Sequence, residues 1–164
     1  MPHVFVYGSR LNPAELKSQF GGSMEARKAV LKGFKRHYGQ LSDVRTGENG
    51  EYGNVLTVTR KEGFSCNGIL VSDLSDQKLA GLRERESGYS LERITSDRIE
   101  TYREDIEAGS FLVSVGEREI GNWNPLKDYM KTCEKGARAR GEEFYEEFQR
   151  STYRFADSKK RPHL

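Results

Sequence analysis

The sequence predicts a single domain of the α+β class, on three observations. The chain has 164 residues, a length that suits one domain with one hydrophobic core. Alternation of apolar residues indicates about six strands, and helical spacing of apolar residues indicates a few helices. Neither an internal repeat nor an interdomain linker is evident, so we assign the domain to residues 1–156 and a polar C-terminal tail to 157–164.

The strand segments are separated by glycine, proline and other turn residues. The predicted strands are His3–Tyr7, Ala29–Tyr38, Asn54–Thr59, Cys66–Ser72, Tyr89–Thr95 and Phe111–Val115. The polar segment Thr46–Gly53 predicts a mobile, solvent-exposed loop. Periodicity alone leaves a small open sheet and a partly closed barrel as alternatives.

Helix signals stand at three places between and after these strands. Asn12 followed by Pro13 is typical of a helix start, and we expect that helix to end at Gly21. A second helix is predicted after Ser75, with Leu79 and Leu82 on its apolar face.

A third helix is predicted to open at Asn124-Pro125, and it carries apolar residues at helical spacing. Gly141 interrupts this pattern, so we expect a short further helix over Glu142–Arg150.

Composition narrows the classes of function. The 27 basic and 25 acidic residues leave a formal net charge of +2, which argues against a general nucleic-acid or anionic-membrane binder. No apolar run has the length of a membrane span and no signal-peptide pattern is present, so we expect a cytoplasmic protein. Cys66 and Cys133 stand far apart and are expected to be core residues; no metal site is predicted.

The stretch VFVYGSRLNP places a Gly-Ser turn between a strand and a helix start. Such a turn leaves several backbone N–H groups at one spot, where they can bind an anion. Gly8 lets a ligand approach the backbone, and the Ser9 hydroxyl can add a donor. The alternative is an ordinary strand-to-helix turn with no ligand.

Two glutamates near the end of the second helix are candidates for a catalytic carboxylate. At about 100° per residue, Glu86 falls between Leu79 and Leu82, whereas Glu84 points to the opposite side. A carboxylate on an apolar face has a raised pKa, as a general base near neutral pH requires. Alternatively, the helix ends before Glu86 and this side chain is a surface group.

Four segments, VFVYGSRLNPAEL, VLKGFKRHY, LRERESGYSLERI and NPLKDYMKTCEKGARARGEEFYEEF, follow one another over most of the chain. Together they resemble the gamma-glutamylcyclotransferase-like family. The resemblance implies a small, mixed, partly closed β-barrel of about six strands with flanking helices and a pocket at one barrel mouth. Two positions depart from the family pattern: Arg10 stands where Asn is frequent, and Arg83 where Asp often precedes the Arg-Glu pair.

The resemblance also implies an activity, in which the α-amine of a gamma-glutamyl compound attacks its own γ-carbonyl. The products are 5-oxoproline and an amine or amino acid, and no metal or cofactor is required. Glu86 is implied as the general base and acid. The implied substrate-binding residues are Tyr7, Gly8, Ser9, Arg10 and Leu11 in the first turn, with Tyr89 and Tyr129 as further candidates. For both tyrosines, core packing is the alternative.

Two other classes of function remain open. The same fold can bind a ligand or a partner without turnover, because a fold does not determine activity. Phe34–Tyr38 interleaves aromatic and basic residues, as a small nucleic-acid-binding barrel would require, although the near balance of charges argues against it. The expected partner is a small gamma-glutamyl compound, with no nucleic acid and no membrane; the sequence does not indicate an oligomeric state.

Overall fold

The computed structural model describes residues 2–22, 24–41, 53–85, 88–102, 109–116 and 125–155. These residues form seven strands, namely β1 His3–Val6, β2 Glu25–Leu41, β3 Asn54–Ser72, β4 Tyr89–Ile94, β5 Ile99–Thr101, β6 Phe111–Gly116 and β7 Thr152–Tyr153. They also form four α-helices, namely α1 Pro13–Phe20, α2 Asp76–Arg85, α3 Lys127–Ala139 and α4 Glu142–Arg150. The prediction of a mixed α+β domain is confirmed.

One mixed sheet contains all seven of these strands, in the order β4-β6-β1-β3-β2-β5, with β7 paired to β2. Strand β1 runs antiparallel to β3 and parallel to β6, so the first strand lies in the middle of the sheet. In the described part of the chain, β4 pairs only with β6, and β5 pairs only with β2. The sheet is therefore open, and the partial barrel closure that the resemblance implied is not confirmed.

The predicted strands Asn54–Thr59 and Cys66–Ser72 are in fact the two ends of one 19-residue strand, β3. Its middle is exposed and polar, which is why the sequence pattern there indicates a turn. The pairing with β2 shifts at this point, where Gly33 alone stands opposite residues 61–64. Gly33 has a φ of 80°, a conformation that favours glycine at such a bulge.

Two strands were not predicted, because they are too short to show a periodic pattern. Strand β5 has three residues and β7 has two, and both pair with the same long strand, β2. The segment Thr46–Gly53, expected to be a mobile loop, lies outside the described residues except for Gly53, which is buried. The expected C-terminal tail also lies outside them.

The predicted starts of α1 and α2 and the predicted end of α1 are confirmed, whereas α3 begins at Lys127, two residues after Pro125. The Asn12 Oδ1 accepts the Ala14 N–H at 3.0 Å and thereby caps α1. Gly21 ends that helix with a φ of 86°. The Ser75 Oγ accepts the Lys78 N–H at 3.2 Å ahead of α2, and Gly141, with a φ of 118°, separates α3 from α4.

The stretch Phe34–Tyr38 does not form a nucleic-acid surface, and that alternative is wrong. All five residues are buried. Stacking on bases requires exposed rings, which this stretch lacks. Cys66 and Cys133 are both buried and are not joined in a disulfide, as expected of core residues. No helix among the described residues is long and apolar enough to cross a membrane.

We expect Gly136→Ala to lower the free energy of unfolding by about 1–3 kcal/mol, because the added methyl group overpacks a contact between α3 and the first turn. A Cβ there would lie 2.8 Å from the backbone carbonyl carbon of Leu11. The matched control is Gly81→Ala in α2, where a Cβ meets nothing within 4 Å and should stabilise the helix by up to about 1 kcal/mol. Urea unfolding of both variants measures the difference, and equal effects would contradict this account.

Candidate functional site

The Gly-Ser turn forms as the sequence predicted, between β1 and α1. Ser9–Leu11 is a single turn of 3₁₀ helix, in which Ser9 and Leu11 are buried. The Leu11 N–H donates to the Gly8 carbonyl at 3.0 Å, and the Asn12 N–H donates to the Ser9 carbonyl at 3.2 Å. The turn is therefore tightly wound, with its carbonyls directed along its own axis.

Three contacts from distant elements hold this turn in place. The Tyr7 hydroxyl donates to the Ser114 carbonyl on β6 at 2.5 Å. The Arg36 Nη1 donates to the Tyr7 carbonyl at 3.2 Å, and the Arg140 Nε donates to the Leu11 carbonyl at 3.0 Å. Because both ends of the turn are anchored, its backbone conformation is set before any ligand arrives.

Gly8 lies against the hydroxyl of Tyr129. A Cβ at Gly8 would lie 2.8 Å from the Tyr129 Oη, with Leu56 side-chain atoms next at 3.7 and 3.8 Å. The sequence had explained Gly8 by the approach of a ligand. In the structure, the close approach of a tyrosine from α3 already requires a residue without a side chain here.

The two tyrosines predicted at the site meet at one residue of β3. The Leu56 N–H donates to the Tyr129 Oη at 3.3 Å, and the Tyr89 hydroxyl donates to the Leu56 carbonyl at 2.6 Å. Tyr129 is buried and Tyr89 is half-buried. The structure thus brings Gly8, Tyr129 and Tyr89 together around Leu56. Tyr129 also belongs to the hydrophobic core and Tyr89 packs against it, as the core-packing alternative expected, and their role in substrate binding stays a prediction.

The segment that follows Glu86 is held beside this cluster. The Gln40 Nε2 donates to the Gly88 carbonyl in that segment at 3.1 Å. On β6, the Gly116 N–H donates to the Thr57 Oγ1 at 2.8 Å. Gly88 has a φ of 82°, which favours glycine. Sequence reasoning missed Gln40 and Thr57, since a single polar residue in a strand is usually a surface residue.

Of the two candidate glutamates, Glu84 lies among the residues that the structure describes. Glu86 lies outside the described residues, so its role as the catalytic carboxylate stays a prediction. Glu84 is exposed in the last turn of α2, as the helical angle predicted. Leu79 and Leu82 of the same helix are buried, which confirms the apolar face used in that argument.

Arg10 extends along the first helix. It is half-buried, and its Nη2 donates to the Gln19 Oε1 at 3.3 Å. Gln19 lies in α1, on the element that follows the turn. The role of Arg10 in substrate binding, which the resemblance implied, stays a prediction.

Burial governs the acidity of the phenols. Desolvation raises the pKa of Tyr129 well above its usual range, and the neighbouring Cys133 adds to this shift. Burial has the same effect on the pKa of Tyr38, whose ring lies edge-on to Tyr129 with centroids 6.3 Å apart. Both phenols are therefore neutral near pH 7 and can donate a hydrogen bond, but neither can act as a general base there.

No cluster of His, Cys, Asp and Glu that could hold a metal ion occurs among the residues that the structure describes. The arrangement instead offers backbone N–H groups, neutral phenols and buried amides. These groups suit recognition of a small polar molecule by hydrogen bonds.

Comparison with known proteins identifies the family. The model of the ChaC-like protein family matches residues 3–144, which is most of the chain. The protein therefore belongs to the ChaC-like family, and the resemblance to gamma-glutamylcyclotransferase-like proteins is confirmed at the level of the family. None of the curated proteins matches.

Several solved structures share this fold. A structure of gamma-glutamyl cyclotransferase is 20% identical, with a TM-score of 0.66 over 95% of this chain and 89% of that one. YkqA from Bacillus subtilis is 19% identical, with a TM-score of 0.62 over 90% of this chain and 52% of its own. A yeast gamma-glutamyl cyclotransferase specific to glutathione is 15% identical, with a TM-score of 0.52 over 73% and 72%. At these identities the likeness shows a shared fold.

The contact between Gly8 and Tyr129 predicts a coupling that a double-mutant cycle can measure. Gly8→Ala should destabilise the protein, and it should cost less in a Tyr129→Phe background, because the atom that opposes the new methyl group is then gone. We expect a coupling energy of about 0.5–3 kcal/mol from urea unfolding of the four proteins. Strictly additive effects would show that the backbone conformation alone requires glycine at this position.

Proposed function

We propose that this protein is an enzyme that cyclises a gamma-glutamyl compound to 5-oxoproline and releases an amine or amino acid. Membership of the ChaC-like family and the shared fold with gamma-glutamyl cyclotransferase support this class of activity. The observation that carries the proposal is the convergence of the anchored turn, through Gly8, with Tyr129 and Tyr89 at Leu56.

In the proposed reaction the α-amine of the substrate attacks its γ-carbonyl carbon. The new C–N bond closes a five-membered lactam, and the bond from the γ-carbon to the leaving nitrogen breaks. The attacking amine must first lose a proton, because its ammonium form dominates at neutral pH. Glu86 is proposed to take this proton and to return it to the leaving nitrogen, so that the enzyme ends the cycle unchanged.

The chemistry of the described residues supports a carboxylate as the base. Tyr129 cannot serve, since burial raises the pKa of its phenol well above the usual range. Tyr89 already donates its hydroxyl proton to the Leu56 carbonyl, and Glu84 is exposed on α2. Glu86 lies three positions before Tyr89 along the chain, which favours it over these groups.

The turn from Tyr7 to Leu11 is proposed to bind the substrate carboxylate or the developing oxyanion through backbone N–H groups. Its anchoring by Ser114, Arg36 and Arg140 supports this role, because donors held in place before binding need no reorganisation in the reaction. The attacking and attacked atoms belong to one molecule. The main task of the site is therefore to hold that molecule bent towards ring closure.

A binding module without turnover is the alternative proposal on the same fold. It predicts a ligand-dependent rise in melting temperature without formation of product. Incubation with a panel of gamma-glutamyl amino acids, glutathione and gamma-glutamyl amines, followed by mass spectrometry for 5-oxoproline, separates the two. Formation of 5-oxoproline from any of these compounds supports the proposal that the protein is an enzyme.

We expect Glu86→Gln to reduce turnover about 10²–10⁴-fold, because glutamine keeps the shape but cannot accept the proton. The matched control is Glu84→Gln, which removes an exposed carboxylate two positions earlier and should stay near wild type. The measurement is 5-oxoproline formation at saturating substrate, with melting curves for both variants. An active Glu86→Gln protein would overturn the assignment of the base.

We expect Arg10→Ala to lower kcat/KM more for a substrate with an extra anionic group beyond the scissile amide than for a neutral one. The reason is the permanent charge that Arg10 places at the turn. Lys17→Ala, which removes an exposed cation on α1, is the control for a general change in charge. Equal losses on both substrates would remove the argument that Arg10 determines specificity.

A further inference from the structure

Arg36 is a buried cation that the reaction scheme above does not use directly. Its side chain is fully buried, and its guanidinium donates to acceptors on three parts of the chain. These acceptors are the Tyr7 carbonyl, the Asn67 carbonyl and Oδ1, the Phe148 carbonyl, the Ser151 Oγ and the Thr152 Oγ1. None of these acceptors is a carboxylate, so the positive charge is hydrogen-bonded but not neutralised by them.

Burial of an ion is costly, and for Arg36 the hydrogen bonds, together with the attraction from Glu147 on α4, offset that cost. Desolvation lowers the pKa of Arg36, yet an arginine stays protonated near neutral pH. A neutral side chain could make similar hydrogen bonds without burying a charge. The charge of Arg36 is therefore the property that needs a functional explanation.

The hydrogen bond from Arg36 to the Tyr7 carbonyl fixes the orientation of the peptide group at the start of the turn. The peptide between Tyr7 and Gly8 is trans and planar, so its N–H points opposite to its carbonyl. With the carbonyl held by the Arg36 Nη1 at 3.2 Å, the Gly8 N–H is directed away from the guanidinium. The next peptide is fixed as well, because the Gly8 carbonyl accepts the Leu11 N–H at 3.0 Å.

The hydrogen bond from Arg36 to the Tyr7 carbonyl also makes the Gly8 N–H a stronger hydrogen-bond donor. A charge-assisted hydrogen bond to a carbonyl polarises the whole amide, and the N–H of that amide becomes a better donor. The charge also makes the electrostatic potential at the turn more positive, in a region where the surrounding protein screens it weakly. Both effects favour an anion bound by the turn.

We propose that Arg36 is a positioning residue, which orients and polarises the Tyr7–Gly8 peptide so that the turn binds the carboxylate of the gamma-glutamyl compound. The proposal rests on the proposed function. It assigns the carboxylate, rather than the ring carbonyl, as the group that the turn recognises. Thr152 on β7 supports this position, since its Oγ1 accepts the Arg36 Nε–H at 2.9 Å.

Two small probes test this assignment. 5-Oxoproline is the product common to all the proposed substrates, and 2-pyrrolidone is the same lactam ring without the carboxylate. We expect Arg36→Met to weaken 5-oxoproline binding at least about tenfold and to leave 2-pyrrolidone binding nearly unchanged. Titrations followed by protein NMR give both affinities. Ile99→Ala, a buried change on the edge strand β5, is the control for lost stability and should preserve the preference for 5-oxoproline.

A milder pair of variants keeps the test decisive if Arg36→Met does not fold. Thr152→Val removes the acceptor of the Nε–H while it leaves the charge in place, and it should weaken 5-oxoproline binding about two- to fivefold. Thr152→Ser keeps the hydroxyl and should restore binding. A merely structural role would lower the affinity for both probes together, and that result, or an unchanged preference in every variant, would overturn the proposal.

Turnover of the same panel of gamma-glutamyl compounds by the wild-type protein separates this proposal from the proposed function. If the wild type forms 5-oxoproline but the variants keep their preference for the carboxylate, only the role of Arg36 is wrong. If the wild type neither forms nor binds 5-oxoproline, both proposals fail.

Discussion

The fold depends on one buried guanidinium and on the way its hydrogen bonds are satisfied. Arg36 joins the end of β1, the C-terminal half of β3 and the junction of α4 with β7, which are otherwise separate parts of the molecule. A charge in such a place is tolerated only when its donors all find acceptors, and the carbonyls and hydroxyls around it provide them. The positions of these elements are thereby set relative to one another.

The elements that the sequence predicted correctly are those with local signals. Asn12, Gly21 and Gly141 mark helix ends because capping and positive φ angles depend on neighbouring residues only. The long strand β3 was divided wrongly, since its exposed polar middle has the composition of a loop. Its continuity comes from pairing with β2, which is a property of the tertiary structure.

The sequence predicted the residues of the site only in part. The first turn and the tyrosines were found through a family resemblance, whereas their mutual geometry around Leu56 appears only in three dimensions. Gln40 and Arg36 were missed as site components because polar residues in strands usually face solvent. Their hydrogen-bond partners lie between 29 and 116 positions away along the chain, beyond the reach of any local pattern.

The central place of β1 has a consequence for how the protein folds. Along the chain this strand precedes both of its neighbours by many residues, since Val4 pairs with Val71 and Leu112. Contacts of such large sequence separation are slow to form, because the intervening chain must first be ordered. The first turn can therefore reach its final conformation only after β6 and β7 have emerged, and until then the apolar strand is an exposed edge that a chaperone could recognise.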